Sequence, residues 1–311
     1  MAFFRALALA TYVVLQLPVV IVPLLFGKLF FAPGHPVNLY LRRLVGPLGT
    51  SPYLAFFSTK VSVQINSNLA HAAPGVSRFL LMTHSSTLDF MVVTIAAWMI
   101  RDLIGPAVCI IKQELLSLPF FGWLQVVAGS VPVARSGDLQ AAKKNLAIAE
   151  NRSREGYTIA GFPEGSRRRT PSCGPQHLLP FKKGMFHMAK KIADSYGNQV
   201  HFIPLVMIGG NTAWPANSFL PIPWSKIVIR VGTPIKMKPD ETVDELTERV
   251  RMCMQDEIKQ SGAVLKDGSY SIDAAFTRGE CVSLWRLLGF EACLSIIPSV
   301  ATILLAIRGI L

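Results

Sequence analysis

Apolar and polar positions along this chain switch between two periods. Lys60 to Ile65, "KVSVQI", alternates with a period of two, the spacing of a half-buried strand. "RFLLMT" (78–83) is a short apolar run that reads as a buried strand, and residues 88–100 are apolar over a helical length. "AVCII" and "VPV" predict further strands, residues 139–150 a helix, and "YTIAGF" another strand. Then come a helical "GMFHMAKKIADSYG", the strand "HFIPLVMI" and "KIVIRVG", which alternates from Ile227 to Val231. Residues 240–260 predict the best-defined helix. Thr242 and Glu245 have capping-box spacing, Val243, Leu246, Val250 and Met254 line one face, and Gly262 stops it. Strands alternating with helices predict an α/β domain on one sheet over residues 60–262. The turn-rich stretch 263–284 predicts a linker.

The two ends of the chain follow neither period. Residues 6–26, "ALALATYVVLQLPVVIVPLLF", are uncharged between Arg5 and Lys28, which is about the length that crosses a hydrocarbon core. Pro18 and Pro23 would kink such a helix, so a bent or re-entrant helix competes with a straight span. Residues 287–307 form a second candidate, closed by Arg308. The resulting division is an N-terminal membrane anchor with an amphipathic segment (1–59), the domain (60–262), the linker (263–284) and a C-terminal membrane segment (285–311). Basic residues between the ends place the domain in the cytosol by the positive-inside rule. That means an integral membrane protein of the endoplasmic reticulum in a eukaryote, or of the inner membrane in a bacterium.

Composition agrees: 51% of the 311 residues are hydrophobic and only 16% are charged. The net charge of +12 calls for an anionic partner, and membrane lipids or a phosphorylated substrate suit it. No nucleic-acid-binding motif accompanies the basic clusters, so nucleic acid is not expected. The five cysteines form no C-x-x-C pair, which argues against a disulfide framework or a zinc site, and no metal is expected.

Candidate chemistry begins at "THSSTLDF" (83–90), directly after an apolar strand. One reading is a helix start, because Ser86 and Asp89 fit the looser form of a capping box. The other is a general base, His84, oriented by Asp89. The two are compatible: a helix N-terminus beside His84 disfavours imidazolium and keeps the ring neutral. The other histidines (His35, His71, His177, His187, His201) have no Asp five residues on. A second stretch, "AGFPEGSRRRT" (160–170), follows a strand and joins a turn, an acid and a basic run. It reads either as an ordinary Pro/Gly turn with exposed arginines or as an anion site, where Arg167 offers a fork of donors to a phosphate.

These motifs resemble those of the glycerophospholipid acyltransferases of the 1-acyl-sn-glycerol-3-phosphate acyltransferase type. Thr83-His84 through Asp89 looks like the family's N-H-x4-D. Phe162-Pro163-Glu164-Gly165-Ser166-Arg167 looks like its F-P-E-G-[TS]-R. "KQELLSLPFFGWLQVVAGSVPVAR" (112–135) and Ile203-Pro204-Leu205 are similar to the second and fourth blocks. The likeness covers about residues 60–235. Thr83 stands where the family has Asn, which bears on how the loop is held. Ala134 replaces an acidic residue, which bears on the orientation of Arg135.

The resemblance implies a single mixed sheet flanked by helices, with membrane-embedded helices at both ends. It also implies transfer of an acyl group from acyl-CoA or an acyl-carrier-protein thioester, a co-substrate and not a bound cofactor. His84 would be the base and Asp89 its support. Lys112, Arg135, Glu164, Gly165, Ser166 and Arg167 would bind substrate, with Lys112, Arg135 and Arg167 on the acceptor's phosphate. Glu164 would contact the glycerol backbone or clamp a nearby Arg. The acceptor is 1-acyl-sn-glycerol-3-phosphate. The alternatives are glycerol-3-phosphate, another lysophospholipid, or a non-catalytic lipid-binding protein on the same fold.

Overall fold

The computed structural model describes residues 54–55, 57–66, 75–86, 88–117, 121–133, 139–166, 178–197, 199–215, 218, 221–264 and 271–283, with positions 22, 25, 29 and 30 ahead of them. The expected membrane segments fall outside these residues, save for Val22 and Leu25, both helical and exposed. Among the described residues, no helix is long and apolar enough to cross a membrane.

The described strands are β1 (Lys60–Ile65), β2 (Val76–Met82), β3 (Ala107–Lys112), β4 (Val131–Val133), β5 (Thr158–Gly161), β6 (Gln199–Ile208), β7 (Lys226–Val231), β8 (Ile235–Lys236) and β9 (Glu280–Val282). They form one sheet in the order β4-β3-β5-β2-β6-β7-β1-β9, with β8 pairing beside β6. From β4 to β6 all neighbours are parallel. β7 is antiparallel to β6 and parallel to β1, and β9 is antiparallel to β1. The sheet is therefore mixed, as expected. β2, β3, β4, β5 and β6 end on one edge, and β1 and β7 start there.

Two cores cover the faces, and strand alternation assigns each side chain to one of them. Leu80 and Met82 of β2 enter one core with Val92, Ile95 and Ala96 of helix α1 (Asp89–Met99). Phe79 and Leu81 enter the other. There they meet Phe186, Ala189 and Ile192 of α2 (Gly184–Tyr196) and Leu246, Val250 and Met254 of α3 (Val243–Gln260). Fully burying each Leu, Ile or Phe contributes about 1.5–3 kcal/mol relative to exposure, so this two-sided stripe outweighs local propensity. The capping box of α3 forms as expected. Thr242 accepts from the Glu245 N–H at 3.3 Å, and the Glu245 carboxylate accepts from the Thr242 N–H at 2.9 Å. Gly262, at φ +81°, turns the chain out of the helix.

Two expectations are corrected here. β1 is not half-buried, because its four interior residues are all buried. Its polar alternate positions face the segment read as a linker: Ser62 Oγ donates to the Phe276 carbonyl at 3.0 Å, and Gln64 Nε2 to the Ser261 and Ala275 carbonyls at 3.0 and 2.8 Å. Hence the described part of 263–284 is no simple linker. It carries a short helix, Ile272–Phe276, capped by Ser271, and then β9 on the sheet edge. Leu54 and Phe57, ahead of Lys60, are buried in the first core.

Candidate active site

β2 delivers its last residues to the strand-end edge, and Thr83 pins them there. Its N–H donates to the Leu205 carbonyl at 3.2 Å. Its hydroxyl accepts from the Met207 N–H at 2.9 Å and donates to the Met207 carbonyl at 3.3 Å. The side chain in the motif's Asn position thus stitches β2 to β6 beyond the end of their ladder. Thr83→Val keeps the shape and leaves both Met207 groups unmet in a buried site. The expected loss is about 1–3 kcal/mol of stability, read as a lower urea midpoint at unchanged slope.

The chain then turns through His84, Ser85 and Ser86 into α1. His84 Nδ1 lies 3.2 Å from Asp89 Oδ2. The same carboxylate accepts from the Ser86 N–H at 2.7 Å and from the Ser85 N–H, while Ser85 Oγ reaches its other oxygen at 3.4 Å. Asp89 is thus buried but held by donors, which offsets the cost of removing a carboxylate from water. The helix starts at Asp89, with Leu88 at its cap position. Ser86 is therefore not the capping residue: its hydroxyl accepts from the Leu88 N–H at 3.2 Å and donates to the Trp214 carbonyl at 3.2 Å. Only the carboxylate half of the expected box forms, and it does so while also holding the imidazole.

β5 brings the second motif alongside. The ring of Phe162 stacks on that of His84, with centroids 4.1 Å apart and planes at 23°. Glu164 is buried, and its carboxylate accepts from the His84 N–H at 3.0 Å and from the Leu179 N–H at 3.0 Å. One carboxylate therefore ties the histidine loop to the segment that follows the second motif. Gly165 closes a turn onto the Phe162 carbonyl at 2.9 Å, with φ +68°. A Cβ there would meet only the flexible end of Lys182, so it is the backbone angle that favours glycine.

The structure brings Asp89 and Glu164 each into direct contact with His84. Gly165 and the exposed Ser166 sit beside them, and Lys112 lies exposed on the same edge at the end of β3. Arg135 and Arg167 lie outside the described residues. Leu179, Gly210 and the Trp214 carbonyl join the site from places that sequence reasoning passed over, and Phe162 of the second motif joins it by stacking on His84. A Cβ on Gly210 would lie 2.6 Å from Asp89 Oδ1 and 2.8 Å from Ser85 Oγ. A visible signal was the Gly209-Gly210 pair directly after an apolar strand, which marks a close backbone approach.

The site lies at the strand ends of a mixed α/β sheet and joins a carboxylate-supported histidine to a neighbouring buried glutamate. Residues 60–208 match the family model described as Acyltransferase. This chain carries that match from β1 to the end of β6, across both motifs. Its sequence is 27% identical over 183 residues to a 1-acyl-sn-glycerol-3-phosphate acyltransferase of Cocos nucifera, covering 58% of this chain and 54% of that one. An enzyme of the same name from Saccharomyces cerevisiae is 26% identical over 186 residues, covering 59% and 56%. The chain thus spans about half the length of the curated relatives it matches. The crystal structure of the 1-acyl-sn-glycerophosphate (LPA) acyltransferase, PlsC, from Thermotoga maritima superposes with a TM-score of 0.59 at 19% identity. That match covers 86% of this chain and all of that one, and it supports the fold.

Proposed function

We propose that this protein transfers a fatty acyl group from an acyl thioester, acyl-CoA in the first instance, to the sn-2 hydroxyl of 1-acyl-sn-glycerol-3-phosphate, giving phosphatidic acid. The relatives that match carry the name of that reaction. The observation that carries the reading is the contact of His84 Nδ1 with Asp89 Oδ2 at the strand-end edge. With Asp89 accepting from Nδ1–H, the lone pair of Nε2 is left to take the acceptor's hydroxyl proton. The alkoxide oxygen attacks the thioester carbonyl, the C–S bond breaks, and the proton held by His84 leaves with the thiolate. Asp89 stabilises the imidazolium between these steps, and Glu164 holds the backbone at His84 in place. Lys112, Arg135 and Arg167 bind the acceptor's phosphate. The domain works at the cytosolic face of a membrane, held there by segments 6–26 and 287–307.

The direct assay is thiol release from acyl-CoA by the purified full chain against a panel of acceptors. The expected order puts 1-acyl-sn-glycerol-3-phosphate above glycerol-3-phosphate and above lysolipids with diester headgroups. Equal rates with all acceptors would remove phosphate recognition, and no release with any would remove the activity. Arg167→Ala is expected to raise the acceptor KM steeply, since truncating one partner of a desolvated charge pair typically costs about 2–5 kcal/mol. Arg167→Lys restores only part, because an ammonium cannot present the guanidinium's fork. A defect confined to the acyl-CoA KM would assign Arg167 to the donor instead.

A further inference from the structure

The edge that carries His84 also holds a group of exposed apolar side chains. Val133 ends β4, Leu179 sits beside Glu164, and Ile222 and Trp224 occupy the loop 221–225 that leads into β7. Trp224 is 70% exposed and Ile222 46%. Strand register places the loop on this edge, because β7 runs antiparallel to β6 and so starts where β6 ends.

Trp224 is built into this position. Its N–H donates to the Phe57 carbonyl at 2.9 Å, and that of Ile222 to the Ala213 carbonyl at 2.7 Å. The Ser225 hydroxyl closes the loop onto the Ile222 carbonyl. Trp224 adopts φ +58°, a left-handed conformation that bulky residues rarely take. The fold therefore spends a strained turn on holding an indole out in solvent. Next to Ala213, the Trp214 carbonyl accepts from the Ser86 hydroxyl, so the loop is tied through a short backbone run to the His84 turn.

Lysines collect on this edge, with the exposed Glu114 two residues beyond Lys112. Lys60 and Lys226 open β1 and β7 in register, Lys112 closes β3, and Lys182 lies over Gly165. Asp273 is engaged by Lys226 and Asp244 by Lys183. Among the described residues, Lys60, Lys112 and Lys182 form no ion pair. An indole and a branched aliphatic side chain, rimmed by unpaired lysines, match the boundary between anionic headgroups and acyl chains.

We propose that loop 221–225 is an interfacial anchor that docks the strand-end edge on an anionic lipid bilayer. Trp224 and Ile222 enter the headgroup boundary, and Lys60 and Lys182 face lipid phosphates. Docking in this orientation turns the mouth of the His84 site toward the bilayer.

The test uses the full chain in vesicles of equimolar phosphatidylcholine and phosphatidylglycerol, with part of the phosphatidylcholine brominated near the headgroup. Trp224→Phe is expected to remove a quenched component of the tryptophan emission. If the emission lost on substitution is insensitive to brominated lipid, the anchor is overturned, as it would be if the loop's partner were a protein. Asn tolerates left-handed backbone, so Trp224→Asn keeps the loop. It is expected to raise the apparent KM for a vesicle-borne acceptor about tenfold, the effect of roughly 1.4 kcal/mol of lost docking. The KM for a monomeric short-chain acceptor stays at the wild-type value. An unchanged vesicle KM, or an equal rise with both acceptors, overturns the proposal. Quenching needs no turnover, so failure of docking and failure of the acyl-transfer reading are separately visible.

Discussion

Asp89→Asn is expected to lower turnover by about a hundredfold or more, the scale of a general base that has lost its support. His84→Ala is expected to abolish it. The carboxylate of Asp89 meets the Ser86 N–H at 2.7 Å, the Ser85 N–H and the imidazole at once. An amide offers a single acceptor oxygen in its place. All three contacts fall on Oδ2, so an amide with its oxygen there keeps them, and turned the other way it faces all three groups with a donor. Either way it carries no charge to stabilise imidazolium. His84 itself is 21% exposed and packs on Phe162, so its removal should leave the unfolding midpoint close to that of the wild type. Single-turnover thiol release, run beside a urea melt, separates the two effects. Near-normal turnover of either variant would remove the base from the mechanism, and loss of folding in His84→Ala would assign the residue to structure.

Gly210→Ala is the second large effect, and it acts on the same carboxylate from the opposite side. Gly209 turns out of β6 at φ +86°, and Gly210 opens a one-turn helix, Gly210–Ala213, against the histidine loop. The added methyl would sit 2.6 Å from Asp89 Oδ1, 2.8 Å from Ser85 Oγ and 3.1 Å from Ser86 Cβ. The side chains of Asp89, Ser85 and Ser86 are tied to one another and to the Trp214 carbonyl by hydrogen bonds, so the loop as a whole must shift. A displacement of about 1 Å at a reacting centre costs on the order of a hundredfold in rate. The expected result is a fall in kcat of that order while the domain stays folded. Gly184→Ala is the matched control: nothing lies within 4 Å of its Cβ at the start of α2, and activity should be retained. Full activity in Gly210→Ala would mean that the loop tolerates movement and that Asp89 is not finely positioned.

Much of this domain can be read from local pattern. The strand at 60–65, the capped helix ending at Gln260 and the α/β alternation all follow from side-chain period and capping chemistry, which are properties of neighbours in the chain. His84 and Asp89 were legible for the same reason, since five residues across a turn bring an imidazole and a carboxylate within reach. Ser86 was misassigned as a cap because a hydroxyl near a helix start can serve several acceptors and donors. Only the Trp214 carbonyl, supplied from beyond β6, settles which of them it takes.

Other features depend on what arrives from far along the chain. Ser62 and Gln64 look solvent-facing until residues 261–276 cover them with carbonyl groups, and polarity alone does not tell a solvated position from a buried, satisfied one. β9 is only three residues long, too short to carry a periodic signal, and it exists because β1 offers it an open edge. Glu164, read as a contact for substrate or arginine, has the backbone N–H groups of His84 and Leu179 as partners, and nothing in its spacing discloses them. Period and motif act between near neighbours and so are written in the chain. The backing of the histidine loop by Thr83, Glu164 and Gly210 arises only when β2, β5 and β6 lie side by side, because strand order and register decide which distant groups come within hydrogen-bonding distance.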